Sequence, residues 1–85
     1  MRPKQNPRCA YKVIEDMCLI VDVDSLIYHT LNDAGSMIWK LCDGKHSIPE
    51  IVSYVQNKFD VERKVVSGDV MKFINDLEKK HLLSL

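Results

Sequence analysis

The chain has 85 residues, of which 46% are hydrophobic and 28% charged, and its formal net charge is zero. This is enough for one domain with one modest core, and the balance of apolar and charged residues predicts a folded rather than a disordered protein. The charge is uneven, because residues 1–12 hold four basic side chains and no acidic one, which leaves eight basic against twelve acidic residues over 13–85. An acidic body argues against a phosphate-binding surface, which needs clustered Lys and Arg.

No apolar run approaches the roughly 20 residues that a membrane span needs. The opening stretch MRPKQNPRCAYK also lacks the apolar middle of a signal peptide, so we expect a cytoplasmic protein. Cys9, Cys18 and Cys42 are odd in number and have no CxxC spacing. The sequence therefore predicts neither a disulfide framework nor a zinc ribbon.

Residues 1–8, with Pro3 and Pro7, predict a flexible basic tail, and residues 9–85 are expected to form a single domain. Three runs then follow that are rich in β-branched and aromatic residues: YKVI, MCLIVDV and LIYHTL. Only short breaks separate them, so consecutive antiparallel pairing is the simplest topology. The sequence predicts a three-stranded meander over about 11–14, 17–23 and 26–31.

The spacing of apolar residues changes from two to about 3.6 after Leu31, which indicates helices. A first helix is predicted to begin at a cap formed by Asn32 or Asp33 and to run to Cys42. Gly44 follows, at a position where a left-handed residue ends many helices.

The motif SIPE at 47–50 predicts the start of a second helix, because it combines a capping serine, a proline in the first turn and a glutamate three residues after the serine. A third helix is predicted from about Glu62 to Lys80, with Gly68 weakening its first half by roughly 1 kcal/mol relative to alanine. The predicted inward positions of the three helices are apolar: Ala34, Ile38, Leu41 and Cys42, then Ile48, Ile51, Val52, Val55 and Phe59, then Val66, Val70, Phe73, Ile74 and Leu77.

A three-stranded antiparallel sheet followed by three helices is an α+β arrangement. Short links between the helices make it winged helix-turn-helix-like. The first helix carries two unusual residues, Gly35 in its first turn and Trp39, the only tryptophan. We interpret Trp39 as the largest core residue and Gly35 as a site where the helix approaches the sheet closely.

These features resemble the signature of the PqqD-like family. The residues that carry the resemblance follow the pattern LN-x-x-G-x-x-IW-x-L-x-DG over 31–44, with Ile48, Glu50 and Ile51 at the start of the second helix. The later stretch FDVERKVVSGDVMKFINDLEKKHLL is similar to the final helix of the family, and the likeness covers about residues 11–85. One position departs from the pattern: the family often has glycine before its last leucines, where this chain has His81.

The resemblance implies a peptide-binding module, also called a RiPP recognition element. Such modules hold the leader segment of a ribosomally made precursor peptide and present it to a modifying enzyme such as a radical enzyme, a cyclase or a leader peptidase. In the family the leader adds as a strand to the third strand of the sheet and lies against the third helix. The implied protein is not an enzyme and needs no cofactor.

The third predicted strand, LIYHTL, suits this role because it is an edge without lysine, proline or an evident bulge to protect it. Edge strands of this kind bind extended peptides through their backbone. The candidate peptide-binding residues lie on this strand and on one face of the third helix: Leu26, Ile27, Tyr28, His29, Thr30, Val66, Asp69, Val70, Lys72, Phe73, Asp76 and Leu77. Two alternatives stay open, in which the tail or a second copy of the chain, giving a homodimer, covers the edge.

A DNA-binding winged-helix regulator is the main alternative function. Against it, residues 62–80 hold five basic and four acidic side chains, which gives no clear basic face. An enzyme is less well supported, because the three histidines lie in different elements and no nucleophile motif or phosphate loop is present. Cys42 and His46 form the only close Cys/His pair, and without two further ligands their spacing does not predict a metal site.

Overall fold

The computed structural model describes residues 2–15, 17–23 and 26–85. Its elements follow the chain in the order β1 (Lys4–Gln5), β2 (Cys9–Ile14), β3 (Met17–Asp22), β4 (Ile27–Leu31), α1 (Asp33–Leu41), α2 (Ile48–Phe59), α3 (Arg63–Lys79) and β5 (Leu83–Ser84). The predicted α+β class is confirmed, with an antiparallel sheet in the order β2-β3-β4 followed by the three helices. No helix in the described ranges is long and apolar enough to cross a lipid bilayer.

The register of the sheet sets which side chains face the helices. Cys18 pairs with Leu31, and Ile20 pairs with His29, so these four side chains share one face. Cys18, Ile20 and Leu31 are buried, which makes this the inner face. Tyr28 and Thr30 alternate with them and are exposed on the opposite face.

The prediction that Leu26 opens the third meander strand is wrong, because that strand begins one residue later, at Ile27. Leu26 has a left-handed backbone, with φ at +58°, and its N–H donates to the Asp22 carbonyl at 2.7 Å. It therefore closes the turn from β3. The first strand of the meander, β2, begins at Cys9, two residues earlier than predicted.

The N-terminal segment differs from the expected tail. Strand β1 pairs antiparallel with β5, and Pro3 is fully buried. The backbone N–H of Gln5 donates to the Cys42 carbonyl at 2.9 Å, and its side-chain amide donates to the Trp39 carbonyl at 2.7 Å. Strands β1 and β5 thus pair with each other, and β1 is bonded to the C-terminal end of α1. The two prolines of the segment did not predict this pairing.

The predicted helix starts are confirmed. The Asn32 side chain caps α1 by accepting from the Gly35 N–H at 2.8 Å. A capping box opens α2, in which Ser47 Oγ accepts from the Glu50 N–H and the Glu50 carboxylate accepts from the Ser47 N–H. Gly44 has φ at +80°, the left-handed conformation expected after the first helix.

The core lies between the inner face of the sheet and the helices. Trp39 is fully buried at its centre, as predicted, with the Tyr11 ring edge-on at 5.7 Å between centroids. The buried apolar side chains are Cys18, Ile20, Leu31, Ile38, Trp39, Cys42, Ile51, Val52, Val55, Val66, Val70, Ile74, Leu77, Leu82 and Leu83. Four predicted core residues, Leu41, Ile48, Phe59 and Phe73, pack against this cluster but are only partly buried.

The capping box predicts a contribution to acid stability. Hydrogen bonds from the backbone and side chain of Ser47 lower the pKa of the Glu50 carboxyl below its ordinary value of 4.5. The unfolded chain therefore binds the proton more readily, and the stabilisation present above pH 4.5 is lost as pH falls through the folded pKa. We expect Glu50→Gln to flatten the fall of unfolding free energy below about pH 5, measured by urea unfolding at several pH values. Glu78→Gln, an exposed side chain near the end of α3, is the control, and parallel curves for Glu50→Gln and wild type would contradict the prediction.

The end of α3 makes a second stability prediction. The N–H groups of His81 and Leu82 donate to the carbonyls of Glu78 and Leu77, both at 3.0 Å, in the Schellman pattern. His81 occupies the left-handed position, with φ at +60°, where glycine is free of strain. Relief of the left-handed strain gains about 1–2 kcal/mol, and the greater freedom of glycine in the unfolded chain costs about 0.5–1 kcal/mol. We therefore expect His81→Gly to raise the free energy of unfolding by about 0.5–1 kcal/mol, measured from the urea midpoint. Lys80→Gly, at φ of −85°, should lower it, and equal effects of the two changes would refute the strain argument.

Candidate functional site

The free edge of the sheet is the first part of the candidate site. Strand β4 is the outer strand in the order β2-β3-β4, and no described strand pairs with its other side. Tyr28 is 69% exposed, while Leu31 is buried. Leu26 is 70% exposed in the preceding turn, and the side chain of Ile27 lies outside what the structure describes. The backbone of 27–31 is therefore an available edge.

The predicted residues of α3 divide into three groups. Val66, Val70 and Leu77 are buried core residues. Asp69, Asp76 and the partly buried Phe73 lie beside them, one row round the helix. Lys72 is exposed and lies two residues from both Val70 and Ile74, which places it on the side of the helix opposite the core.

A cavity of about 330 Å³ opens beside the N-terminal half of α3. Four predicted residues line it, namely Val66, Asp69, Val70 and Phe73. The other lining residues are not among the predicted peptide-binding residues: Asn32, Ala34, Gly35, Ile38, Val55, Phe59 and Val61. Asn32 and Gly35 follow directly after β4, so the cavity lies next to the C-terminal end of the free edge without including strand residues.

The lack of a side chain at Gly35 lets the Phe73 ring lie close to α1, where both residues line this cavity. A Cβ atom at Gly35 would lie 3.1 Å from Cζ of Phe73, closer than an ordinary van der Waals contact. The interpretation that Gly35 allows close approach to the sheet is thus corrected, because the ring of Phe73 in α3 occupies the space. The glycine in the first turn of α1 indicated that another element approaches closely, but the sequence did not show which element this is.

A second cavity, of about 580 Å³, lies between the β2–β3 turn and helices α1 and α2. It is larger, but it contains none of the predicted residues. Four of its nine lining residues are charged, Glu15, Asp33, Lys40 and Lys58, whereas Asp69 is the single charged residue of the smaller cavity. We favour the smaller cavity as a ligand site, because ligand pockets are mostly apolar with few polar groups.

The thiols in the core are poor nucleophiles. Burial raises the pKa of the Cys42 thiol to about 12, with a further contribution from the Asp43 charge, and burial also raises the pKa of Cys18. Both are therefore protonated at neutral pH. His46 Nδ1 lies 2.9 Å from the Asp43 carboxylate, in the loop between α1 and α2 and outside both cavities. Within the described ranges no three His, Cys, Asp or Glu side chains are grouped closely enough to hold a metal ion.

Comparison with known sequences gives two matches. A sequence profile of the family described as "Coenzyme PQQ synthesis protein D (PqqD)" matches residues 18–83. A curated relative from Gluconobacter oxydans (strain 621H), named "PqqA binding protein", is 34% identical over 50 residues. That alignment covers 59% of this chain and 52% of the relative, so the chain aligns with about half the length of this protein.

Two solved structures are similar over nearly the whole chain. One is "TbiB1 in Complex with the TbiA(beta) Leader Peptide", with a TM-score of 0.88 and 27% identity, covering 95% of this chain and 94% of that one. The other is "Lasso peptide synthetase B1 complexed with the leader peptide", with a TM-score of 0.89 and 18% identity over the full length of both chains. The second likeness, at this identity, shows the fold alone.

Proposed function

The chain belongs to the PqqD family, and on that premise we propose that it is a non-catalytic module that binds the leader segment of a ribosomally made precursor peptide. The module presents this peptide to a modifying enzyme, such as a radical enzyme, a cyclase or a leader peptidase. The observation that carries the proposal is the free edge of β4 next to the apolar cavity beside α3. The similar TbiB1 structure, which its name describes as a leader-peptide complex, supports it.

The peptide is proposed to add as a fourth strand along β4. Backbone hydrogen bonds to residues 27–31 then supply affinity that does not depend on sequence, and side chains on alternate positions supply selectivity. A large apolar side chain of the peptide enters the cavity over Phe73 and Val70. Tyr28 and Thr30, on the outer face, lie beside those peptide residues that point away from the helices.

Simple magnitudes predict weak, reversible binding. About five backbone hydrogen bonds contribute roughly 1 kcal/mol each, and two buried apolar anchors contribute about 1.5–3 kcal/mol each. Association costs of about 4 kcal/mol or more must be subtracted. The net free energy of about 4–7 kcal/mol corresponds to dissociation constants from roughly millimolar to roughly ten micromolar. Such affinity suits a carrier that must release its peptide.

A backbone amide NMR titration of the labelled chain tests the proposal. The ligand is a synthetic leader of a short precursor peptide encoded beside this chain, added to several hundred micromolar, and a scrambled peptide is the control. We expect shifts at 27–31 and along 66–77, with little change in β1 and β5. Shifts centred on β2 would instead place the peptide on the opposite edge of the sheet and contradict the proposed binding mode. No shift with a folded chain, together with salt-dependent binding of duplex DNA, would favour a winged-helix regulator.

A further inference from the structure

The side of α3 that packs against the first turn of α1 carries a regular row of side chains. Its members are Asp69, Phe73 and Asp76, at the i, i+4 and i+7 positions that align along one side of a helix. The contact between Phe73 and the backbone of Gly35 in α1 fixes which way the row points. Because α1 begins directly after β4, the row borders the groove in which the proposed peptide strand would lie.

The spacing of this row matches an extended peptide. With a rise of 1.5 Å per residue, the two carboxylates lie about 6 Å and about 4.5 Å along the helix from Phe73. Side chains on one face of a strand repeat every two residues, or about 6.6 Å. For a peptide strand that runs along the axis of α3, a residue over Phe73 has its neighbours at positions −2 and +2 close to Asp69 and Asp76.

The charges of the row have no partner within the described part of the chain. Asp69 and Asp76 are exposed, and neither forms an ion pair there. Lys72 lies three residues after Asp69 and four before Asp76, and among the described residues it forms an ion pair with neither carboxylate. Asp69 is the single charged side chain that lines the cavity, so a negative charge borders its apolar interior.

We infer that the peptide segment bound here carries a large apolar residue with a basic residue two positions away on each side. This inference rests on the proposed function and specifies its ligand class. The apolar side chain enters the cavity over Phe73, while Lys or Arg at the flanking positions pairs with Asp69 and Asp76. An acidic residue at either flanking position is selected against, because like charges meet there.

A selection experiment with random peptides tests the inference and does not require the natural peptide. A display library of random 12-residue peptides is selected on the full chain, and in parallel on Asp69→Lys and Asp76→Lys. Glu78→Lys is the matched control, with the same charge reversal on α3 but about 200° round the helix from Asp76. The best peptides are then synthesised and their dissociation constants measured at low salt and at 1 M salt.

We expect wild type to select peptides with Lys or Arg at −2 and +2 from an apolar residue. Each reversal on the row should weaken binding of these peptides roughly 1.5- to 5-fold at low salt, the range for exposed charge pairs, and should select acidic residues at the matching position. The effect should shrink at 1 M salt, and Glu78→Lys should behave as wild type. If the selected peptides show no preference for basic residues and bind equally well after charge reversal, the inference is overturned and the proposed function still stands. Failure of the library and of the encoded leader peptide to bind would overturn both.

Discussion

Replacing Trp39 with alanine is expected to lower the free energy of unfolding by about 3–5 kcal/mol, the range for truncating a buried tryptophan. A domain of this size has a total stability of about 4–13 kcal/mol, so the loss removes from about a quarter of that stability to all of it. The expected loss of stability is large because the Trp39 side chain is 0% exposed and contacts the Tyr11 ring. Its backbone carbonyl also accepts from Gln5, so unfolding of α1 releases β1.

Trp39→Phe separates two contributions of the side chain. The indole N–H is buried and has no hydrogen-bond partner among the described residues, which costs about 1–3 kcal/mol. Phenylalanine removes this unpaired donor together with part of the packing, so we expect a smaller loss than for alanine. Urea unfolding followed by circular dichroism measures both variants. Glu78→Ala, at an exposed side chain of α3, is the control and should change stability by about 0.5 kcal/mol or less. An unchanged urea midpoint for Trp39→Ala would show that Trp39 is not central to the core.

The elements that sequence analysis predicted well have local causes. The capping box at Ser47 and Glu50 fixes the start of α2 through two bonds between residues three apart. The meander follows from the period-two pattern and short turns, and the burial of Leu31 follows from its place at the strand end. Such features depend on neighbouring residues, so a single sequence contains the information.

The parts that the sequence did not predict depend on contacts between distant residues. Strand β1 has two residues, too few to show a period, and its partner β5 lies at the opposite end of the chain. Gly35 signalled a close approach, but only the packing of α3 identifies Phe73 as the neighbour. Val61 lies between α2 and α3 and lines the cavity, a position that no local pattern encodes. The sequence already showed that His81 stands where the family often has glycine. The left-handed backbone of His81 explains why glycine suits this position.

Replacing Phe73 with alanine is expected to weaken binding of the leader peptide at least tenfold, while the chain stays folded. Phe73 is only partly buried and its ring borders the cavity, so it serves the ligand site as well as the core. Loss of an apolar anchor worth about 1.5–3 kcal/mol corresponds to roughly 10- to 150-fold in affinity. The peptide titration by NMR and a urea unfolding curve on the same sample give both quantities.

The adjacent Ile74→Ala is the matched control for this prediction. Ile74 is 0% exposed and lines neither cavity, so its truncation should cost about 2–5 kcal/mol of stability and leave the affinity of the folded fraction unchanged. Truncation of these two adjacent residues is thus expected to separate the effect on stability from the effect on affinity. If Phe73→Ala instead destabilised the chain as much as Ile74→Ala and left affinity unchanged, Phe73 would be a core residue only. The peptide would then have to gain its affinity from β4 alone, where a strand of five residues supplies too few hydrogen bonds to offset the cost of association by more than about 1 kcal/mol.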